Sequence, residues 1–333
     1  MDALADLLDG PRARGAFLLR SVLTPPWSVR IADLAPLTLV HMVRGDAWIR
    51  TDDAGARQLR PGDIAVIRGP EPYTVAGDPE TEPQIVIRPG QVSTDPDGDE
   101  LCERMDLGVR TWGDDPTGVE GPGGPAARGP AAGGPPASAV MISGTYQMRG
   151  EISSRLLSAL PRVLVLPGDA WSSPVPALLS EEIVRDEPGQ EVVLDRLLDL
   201  LLIAVLRAWF ARPEAAAPAW YAAQGDPVVG PALRLLHDDP AHPWTVAGLA
   251  ARTGVSRAAL GRRFTELVGE PPMAYLTGWR LALAADLLRE PDATVASVAR
   301  RVGYGSPFAL SAAFKRVRGV SPQQHRERTA VAP

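Results

Sequence analysis

Two similar stretches in the last third of this 333-residue chain decide the fold of that region. Residues 245–255 read TVAGLAARTGV, and residues 294–304 read TVASVARRVGY. After one inserted residue the similarity continues at five further pairs: Ser256 and Ser306, Leu260 and Leu310, Phe264 and Phe314, Gly269 and Gly319, Pro272 and Pro322. Eleven matching positions with one insertion predict two copies of one structural unit.

Each copy predicts a helix, a tight turn and a second helix. The Thr245 hydroxyl can accept a hydrogen bond from a free backbone N–H at the start of the first helix. Val246, Leu249 and Ala250 follow the spacing of one buried helical stripe. Gly254 permits a left-handed backbone in the turn. This is the helix-turn-helix pattern, in which the second helix enters the major groove of DNA.

Both predicted second helices are basic. Segments 256–264 and 306–318 contain no acidic residue and six cationic ones: Arg257, Arg262, Arg263, Lys315, Arg316 and Arg318. Phosphate binding requires cations, and guanine is read by the guanidinium fork of arginine. The alternative is a solvated basic face on an ordinary helical bundle. The repetition of basic second helices at equivalent places favours DNA binding.

The distribution of charge supports this interpretation. The chain as a whole carries a net charge of −6. Residues 226–333 nevertheless carry a net +5, and residues 1–225 carry −11. Between the two units, the apolar segment 273–288 predicts a helix that holds the units rigidly. The two second helices could then enter successive major grooves, about 34 Å apart.

With these features, residues 230–328 resemble the DNA-binding domain of the AraC/XylS transcriptional regulators. The resemblance implies base-reading positions at Ala258, Gly261 and Arg262 in the first unit. In the second unit it implies Pro307, Phe308 and Ala312, so an arginine common in the family is Ala312 here. Only Arg262 is a strong hydrogen-bonding base reader, so the second unit is expected mainly to position the protein and contact phosphate. The full predicted DNA-contacting set is Ser256, Arg257, Ala258, Gly261, Arg262, Arg263, Ser306, Pro307, Phe308, Ser311, Ala312, Lys315 and Arg316.

The first two hundred residues predict a different fold. Residues 17–90 read as short apolar strands separated by turn signals such as Pro61-Gly62-Asp63, which is typical of a barrel or sandwich. Segment 113–136 holds 14 glycines and prolines in 24 residues and predicts a flexible loop. A strand over 139–147 follows, and then helices over 151–160 and 174–185. The stretches HMVRGDAWIRTDD (41–53) and LRPGDIAVIRGPEPYTV (59–75) resemble the cupin-type sensor domain of one AraC subgroup.

A metal site is not expected in this barrel. Metal-binding cupins use two or three histidines with a carboxylate, but His41 is the only histidine before residue 237. Tyr73 takes the place of the second-motif histidine, and no cofactor is predicted. His41 is interpreted as a core or pocket residue, a small-molecule contact or a metal ligand, in that order. If His41 points inward beside Leu39 and Val43, then Trp48 and Tyr73 join it as predicted effector-binding residues.

The domain assignment is a cupin-like sensor and dimerisation domain over 1–211, a linker over 212–226, and a DNA-binding domain over 227–328. The fold class is therefore α+β, with an N-terminal cupin-like β-barrel plus helices and a C-terminal all-α domain of two helix-turn-helix units. The leucine-rich helix 190–211 is expected either in the core of one chain or at a homodimer contact. Cys102, the only cysteine, excludes a disulfide framework and is flanked by acidic residues, which argues against a redox role.

The predicted function is a cytoplasmic, sequence-specific transcriptional regulator that binds double-stranded DNA and responds to a small-molecule effector. The N-terminus lacks a signal-peptide pattern, and no apolar run of about 18 residues predicts a membrane span. No catalytic motif is present, and RNA polymerase is a further predicted partner. Two alternatives stay open: a cupin-like enzyme tethered to DNA, and a DNA-binding regulator without an effector.

Overall fold

The computed structural model describes residues 17–53, 55–114, 138–146, 157–212, 215 and 217–330. The chain divides into a strand-rich unit that ends at Arg212 and a helical unit that holds the C-terminal residues. The glycine- and proline-rich loop predicted over 113–136 lies outside the described residues beyond Asp114. Most of the helix predicted over 151–160 also lies outside them.

The strand-rich unit contains two sheets of six strands. The first sheet comprises β1 (Phe17–Leu23), β3 (Leu37–Arg44), β6 (Ile64–Arg68), β10 (Thr111–Gly113), β11 (Ala139–Tyr146) and β12 (Val163–Leu166), in the order β10-β1-β11-β3-β6-β12. The second comprises β2 (Ser28–Ile31), β4 (Ala47–Thr51), β5 (Gly55–Leu59), β7 (Tyr73–Ala76), β8 (Ile85–Arg88) and β9 (Val92–Thr94), in the order β5-β4-β7-β2-β8-β9. This architecture confirms the predicted cupin-like barrel.

The core of this unit lies between the two sheets. Val40 and Met42 of β3 belong to the same buried cluster as Ile49 of β4 and Val75 of β7. Because successive side chains of a strand point to opposite faces, every second residue of these strands contributes to the barrel interior. The alternate residues of β3, such as Leu39, are also buried, so the first sheet is covered on its outer face as well.

Two helices belong to this unit, α1 (Val175–Glu182) and α2 (Gln190–Phe210). Helix α2 packs directly against β11: the Tyr146 hydroxyl donates a hydrogen bond to the Leu198 carbonyl oxygen at 2.8 Å. Gly144 lies so close that an added Cβ would stand 2.7 Å from the Leu198 side chain. Seven residues of α2 are buried, which agrees with a place in the core of one chain. Val192, Val193 and Leu200 are exposed, which leaves the alternative of a homodimer contact open.

Within residues 217–330 the helical unit contains eight α-helices. They are α3 (Ala219–Ala222), α4 (Val229–Asp238), α5 (Val246–Thr253), α6 (Arg257–Val268), α7 (Pro272–Leu287), α8 (Val295–Arg301), α9 (Pro307–Arg318) and α10 (Pro322–Ala330). Part of the segment predicted as a linker is packed here, because Ala223 is buried and Trp220 contacts the same core. No helix in the described ranges is long and apolar enough to cross a membrane.

The local structure of both repeats agrees with the predicted helix-turn-helix. The Thr245 hydroxyl accepts a hydrogen bond from the Gly248 N–H at 3.0 Å, and Gly254 ends α5 with a φ of 72°. In the second repeat the Thr294 hydroxyl accepts from the Ser297 N–H at 3.0 Å, and Gly303 has a φ of 76°. The sequence repeat is therefore a structural repeat.

Helix α7 joins the two repeats by contributing to both of their cores. Tyr275 and Leu276 lie in the core of the first unit, whereas Leu281 and Ala285 lie in the core of the second. Between these halves, Arg280 donates hydrogen bonds to the carbonyl oxygens of Pro240 at 2.6 Å and His242 at 2.7 Å. The same loop touches the turn of the second repeat, because a Cβ on Gly303 would stand 2.5 Å from the Ala241 carbonyl oxygen.

Candidate functional site

The two second helices, α6 and α9, begin in the same way. The Ser256 hydroxyl accepts a hydrogen bond from the Ala259 N–H at 3.2 Å, and the Ser306 hydroxyl accepts from the Ala309 N–H at 3.2 Å. Both serines thus cap their helices, as the repeat predicts. A hydroxyl that accepts a hydrogen bond keeps its own proton, so each serine can also donate to a phosphate oxygen.

Each of these helices has one buried face and one exposed face. Leu260 and Phe264 anchor α6, while Leu310 and Phe314 anchor α9 at the equivalent positions. The predicted base-reading residues lie outside these anchors: Ala258, Arg262, Pro307, Phe308 and Ala312 are exposed, and Gly261 is half-buried. Both helices therefore present their predicted contact positions to solvent.

Phe308 is the most exposed large apolar side chain in the described residues, with 86% of its surface accessible. It follows Pro307 in the first turn of α9, where a groove-binding helix contacts base edges. Burying an aromatic ring of this size is strongly favourable in water. The exposed ring therefore takes no part in the core of the helical unit.

Five of the six cations of α6 and α9 fall into two groups, and the sixth, Arg318, lies over the Phe314 ring. Arg257, Arg262, Lys315 and Arg316 are exposed, and none has an acidic group within 4 Å in the described ranges. Arg263 differs, because its Nε and Nη2 atoms donate to the Asp226 carboxylate at 2.9 and 2.6 Å. The guanidinium of Arg263, together with the Val229 and Val228 N–H groups, lowers the pKa of Asp226 to about 2. Arg263 is thus held by an internal partner.

The strand-rich unit contains a partly open cavity of about 260 Å³ between its sheets, here called the barrel cavity. Its wall is mainly apolar, with side chains such as Val29, Val40, Ile87, Trp112 and Met141. Polar side chains interrupt this wall: Asp33, Thr38, Tyr73 and Gln91 come from β3, β7 and the segments that follow β2 and β8, and the hydroxyl groups are those of Ser21, Ser93, Ser143 and Thr145. A mostly apolar cavity with a few convergent polar groups is typical of a small-molecule site.

Hydrogen bonds hold the polar groups of the barrel cavity in place. Asp33 accepts from the Gln91 side-chain amide at 2.8 Å and from the Ala35 N–H at 3.0 Å. Burial raises the pKa of Tyr73 above its ordinary range, and a hydrogen bond with the Thr38 side chain opposes part of that rise. The Tyr73 hydroxyl therefore stays protonated at neutral pH and can donate a hydrogen bond.

Cys102 also lines the barrel cavity, and its sulfur lies 3.1 Å from the Ser93 hydroxyl oxygen. In the described part of the chain, no group of three His, Cys, Asp or Glu side chains is placed to hold a metal ion.

Both parts of the chain are similar to known protein families. A cupin family profile matches residues 2–211, and a helix-turn-helix domain profile matches residues 249–328. An AraC-like transcription regulator of Streptomyces lividans is 32% identical over 98% of both chains. One of Streptomyces antibioticus is 32% identical over 98% of this chain and 99% of the relative. The regulator AlkR of Acinetobacter baylyi is 33% identical over 54% of this chain and 60% of its own length.

The chain belongs to the AraC-like transcription regulators. It is a DNA-binding transcription regulator with a cupin domain followed by a tandem helix-turn-helix domain. Its relatives are named as regulators, which indicates a regulator rather than an enzyme.

In this AraC-like regulator, two of the three predicted effector-binding residues lie away from the barrel cavity. His41 is buried, but it pairs with Ile142 and Ile64 on the face of the first sheet that α2 covers at Gly144. Trp48 likewise points away from the interior, because its neighbours Ala47 and Ile49 are the ones in the core. Tyr73 alone lines the barrel cavity.

His41 points to the opposite face of β3 from the one that lines the barrel interior. The inward side chains are Thr38, Val40 and Met42, so Leu39, His41 and Val43 face the opposite way. Burial lowers the pKa of His41, and a hydrogen bond with the Asp63 backbone opposes that effect. His41 is thus a buried residue of the sheet's outer face.

Sequence reasoning also missed three residues of the barrel cavity, namely Asp33, Thr38 and Gln91. Asp33 and Gln91 lie in the turns that follow β2 and β8, where a polar residue is ordinary. Only the pairing of β2 with β7 and β8 brings these turns to one end of the barrel.

Proposed function

We propose that this AraC-like regulator reads DNA with both second helices, through guanine at Arg262 and a thymine methyl group at Phe308. The observation that carries the proposal is that α6 and α9 expose equivalent faces of a structural repeat. Within the described ranges, each face has two exposed cations without an acidic partner and one exposed side chain suited to base contact, Arg262 or Phe308. Selection of bound duplexes from a random-sequence DNA pool by the full-length chain tests it. Two short conserved elements, one containing guanine and one containing thymine, are expected.

Arg262→Ala is expected to lose discrimination between the selected duplex and random DNA by about 1–3 kcal/mol, because its guanidinium reads a base edge. Lys315→Ala is expected to weaken both DNAs by the same factor, since phosphate contacts carry no base information. Titration of both variants against both DNAs gives the comparison. Equal losses on both DNAs for Arg262→Ala would contradict its assignment as a base reader.

A second prediction concerns contact between Phe308 and a thymine methyl group. Replacing the contacted thymine by uracil removes one methyl group and keeps base pairing, so binding is expected to weaken about fourfold, the value of one buried carbon group. The Phe308→Ala variant is expected to bind thymine and uracil duplexes equally. Substituting each thymine of the selected duplex in turn identifies the position. If no thymine position distinguishes wild type from Phe308→Ala, the second unit reads no methyl group.

We infer further that a small molecule bound in the barrel cavity regulates this protein. The support is the partly open, mainly apolar cavity, with Asp33, Thr38, Tyr73 and Gln91 at one end. Such a ligand can change DNA binding only by favouring one arrangement of the two units over another, with a coupling of about 1–3 kcal/mol. Measuring DNA affinity with and without a bound ligand tests this part of the proposal.

A homodimer formed through α2 is also proposed. Val193 and Leu200 lie seven residues apart on one exposed stripe, and Val192 extends it. Introducing acids with the double change Val193→Glu and Leu200→Glu is expected to shift the chain from dimer to monomer in sedimentation equilibrium at tens of micromolar. The control is Val43→Glu, an exposed apolar position on a strand. A wild-type monomer under the same conditions would rule out this surface.

A further inference from the structure

Among the described residues, Asp33 is the only charged one in the wall of the barrel cavity, and it is 8% exposed. Each of its carboxylate oxygens accepts a hydrogen bond from a neutral donor, one from the Gln91 side-chain amide and the other from the Ala35 N–H. The cavity therefore contains a positioned negative group at one end.

This carboxylate has no cationic partner in the described part of the chain. No Lys, Arg or His nitrogen there lies within 4 Å of it, and the nearby Arg162 is instead paired with Glu71 at 3.2 Å. Buried charges in proteins are ordinarily compensated by an opposite charge or a metal. Because no metal cluster is available among the described residues, the missing cation would come from a ligand.

The remaining wall limits what that ligand can be. Away from Asp33 the cavity is lined mostly by aliphatic and aromatic side chains, such as Val40, Ile87 and Trp112. The volume of about 260 Å³ admits only a small molecule. The hydroxyl groups of Ser21, Ser93, Ser143 and Thr145 also line the cavity, but apolar side chains outnumber them. A polyol would therefore lose hydrogen bonds with water there, and an anion would be repelled by Asp33.

We propose that the barrel cavity binds a small, mainly apolar amine whose protonated nitrogen pairs with Asp33. The ammonium group donates to the carboxylate, and the apolar body replaces water against the cavity wall. Thr38 and the protonated Tyr73 hydroxyl lie at the same end and add neutral hydrogen-bonding groups. This inference rests on the proposed effector role of the cavity and specifies its ligand class.

Three probes with the same phenethyl body test the charge preference on the full-length chain. Phenethylamine carries an ammonium group, phenethyl alcohol a hydroxyl and hydrocinnamate a carboxylate. Isothermal titration without DNA is expected to show the amine binding at least about tenfold more tightly than the alcohol, with no binding of hydrocinnamate.

Asp33→Asn removes the charge while its side-chain oxygen can still accept the Ala35 N–H. This variant is expected to bind the amine and the alcohol within about twofold of each other. Thr38→Val is the matched control, because it changes the same end of the cavity and keeps Asp33; its preference for the amine is expected to persist. Unfolding temperatures without ligand establish that both variants are folded.

Three results would overturn the proposal: hydrocinnamate binding as tightly as phenethylamine, an unchanged amine preference in Asp33→Asn, or no binding of any probe at about 10 mM. These outcomes are separate from the proposed regulation. If the amine binds through Asp33 but leaves DNA affinity unchanged, the amine site stands and the effector role fails. If DNA selection fails as well, the proposed DNA reading is at fault, because the titration uses no DNA.

Discussion

Raising the salt concentration from about 50 to 200 mM is expected to weaken binding of the selected duplex about a thousandfold, as for a protein with roughly six phosphate contacts. Each phosphate that a cation neutralises releases condensed counterions, so the logarithm of affinity falls with the logarithm of salt concentration. Arg257, Arg262, Lys315 and Arg316 are exposed without acidic partners in the described ranges. The serine caps and helix N-termini add uncharged phosphate contacts.

The measurement is a titration of the full-length chain at four or more salt concentrations. The double variant Lys315→Ala and Arg316→Ala is expected to reduce the magnitude of the slope by about two contacts. Arg263→Ala is the informative comparison, because Asp226 already neutralises that guanidinium and the slope is expected to change less. Affinity that is flat across this salt range would rule out phosphate binding by these helices.

Gly303→Ala is expected to destabilise the helical unit by about 2–4 kcal/mol, the sum of two separate costs. The first is backbone strain, because Gly303 has a φ of 76°, a left-handed conformation that side chains disfavour. The second is steric, since the new Cβ would stand 2.5 Å from the Ala241 carbonyl oxygen. This carbonyl belongs to the loop that Arg280 holds through the neighbouring carbonyl groups, so the loop cannot easily move away.

Gly254→Ala is the matched control, because the sequence repeat places it at the equivalent turn. Gly254 has a φ of 72°, yet nothing lies within 4 Å of an added Cβ. Its substitution is therefore expected to cost only the backbone strain, about 1–2 kcal/mol. Calorimetric unfolding of both full-length variants measures the difference. Equal unfolding temperatures for the two variants would show that the contact between Gly303 and Ala241 has no energetic consequence.

The two glycines illustrate how far a repeat in the sequence extends. The pattern assigns Gly254 and Gly303 the same role, and both indeed have left-handed backbones. The difference arises from loop 239–243, which is about sixty residues from Gly303 in the chain and carries no pattern that predicts its contact. Local conformation was predictable here, whereas close approach between distant segments was not.

The barrel also combines features that the sequence predicts with features that it does not. Strand positions were predictable from short apolar runs, but the face of each residue was not, because β3 is buried on both sides. A strand covered on one face alternates apolar and polar residues, and that alternation reveals which residues point inward. Because β3 lacks this alternation, the sequence placed the His41 side chain toward the barrel interior. In the structure it lies on the opposite face of the sheet, which helix α2 covers.

The sequence by itself determined the tandem helix-turn-helix, its capping residues, its basic second helices and the strand-rich N-terminal fold. These features depend on the hydrogen bonds, periodicity and backbone preferences of residues that are close together in the sequence. Only the tertiary structure decided that Asp226 holds Arg263, that Arg280 joins loop 239–243 to α7, and that Asp33 enters an apolar cavity. Each of these contacts joins segments distant in the chain, and its geometry follows from how whole helices and sheets pack rather than from any local pattern.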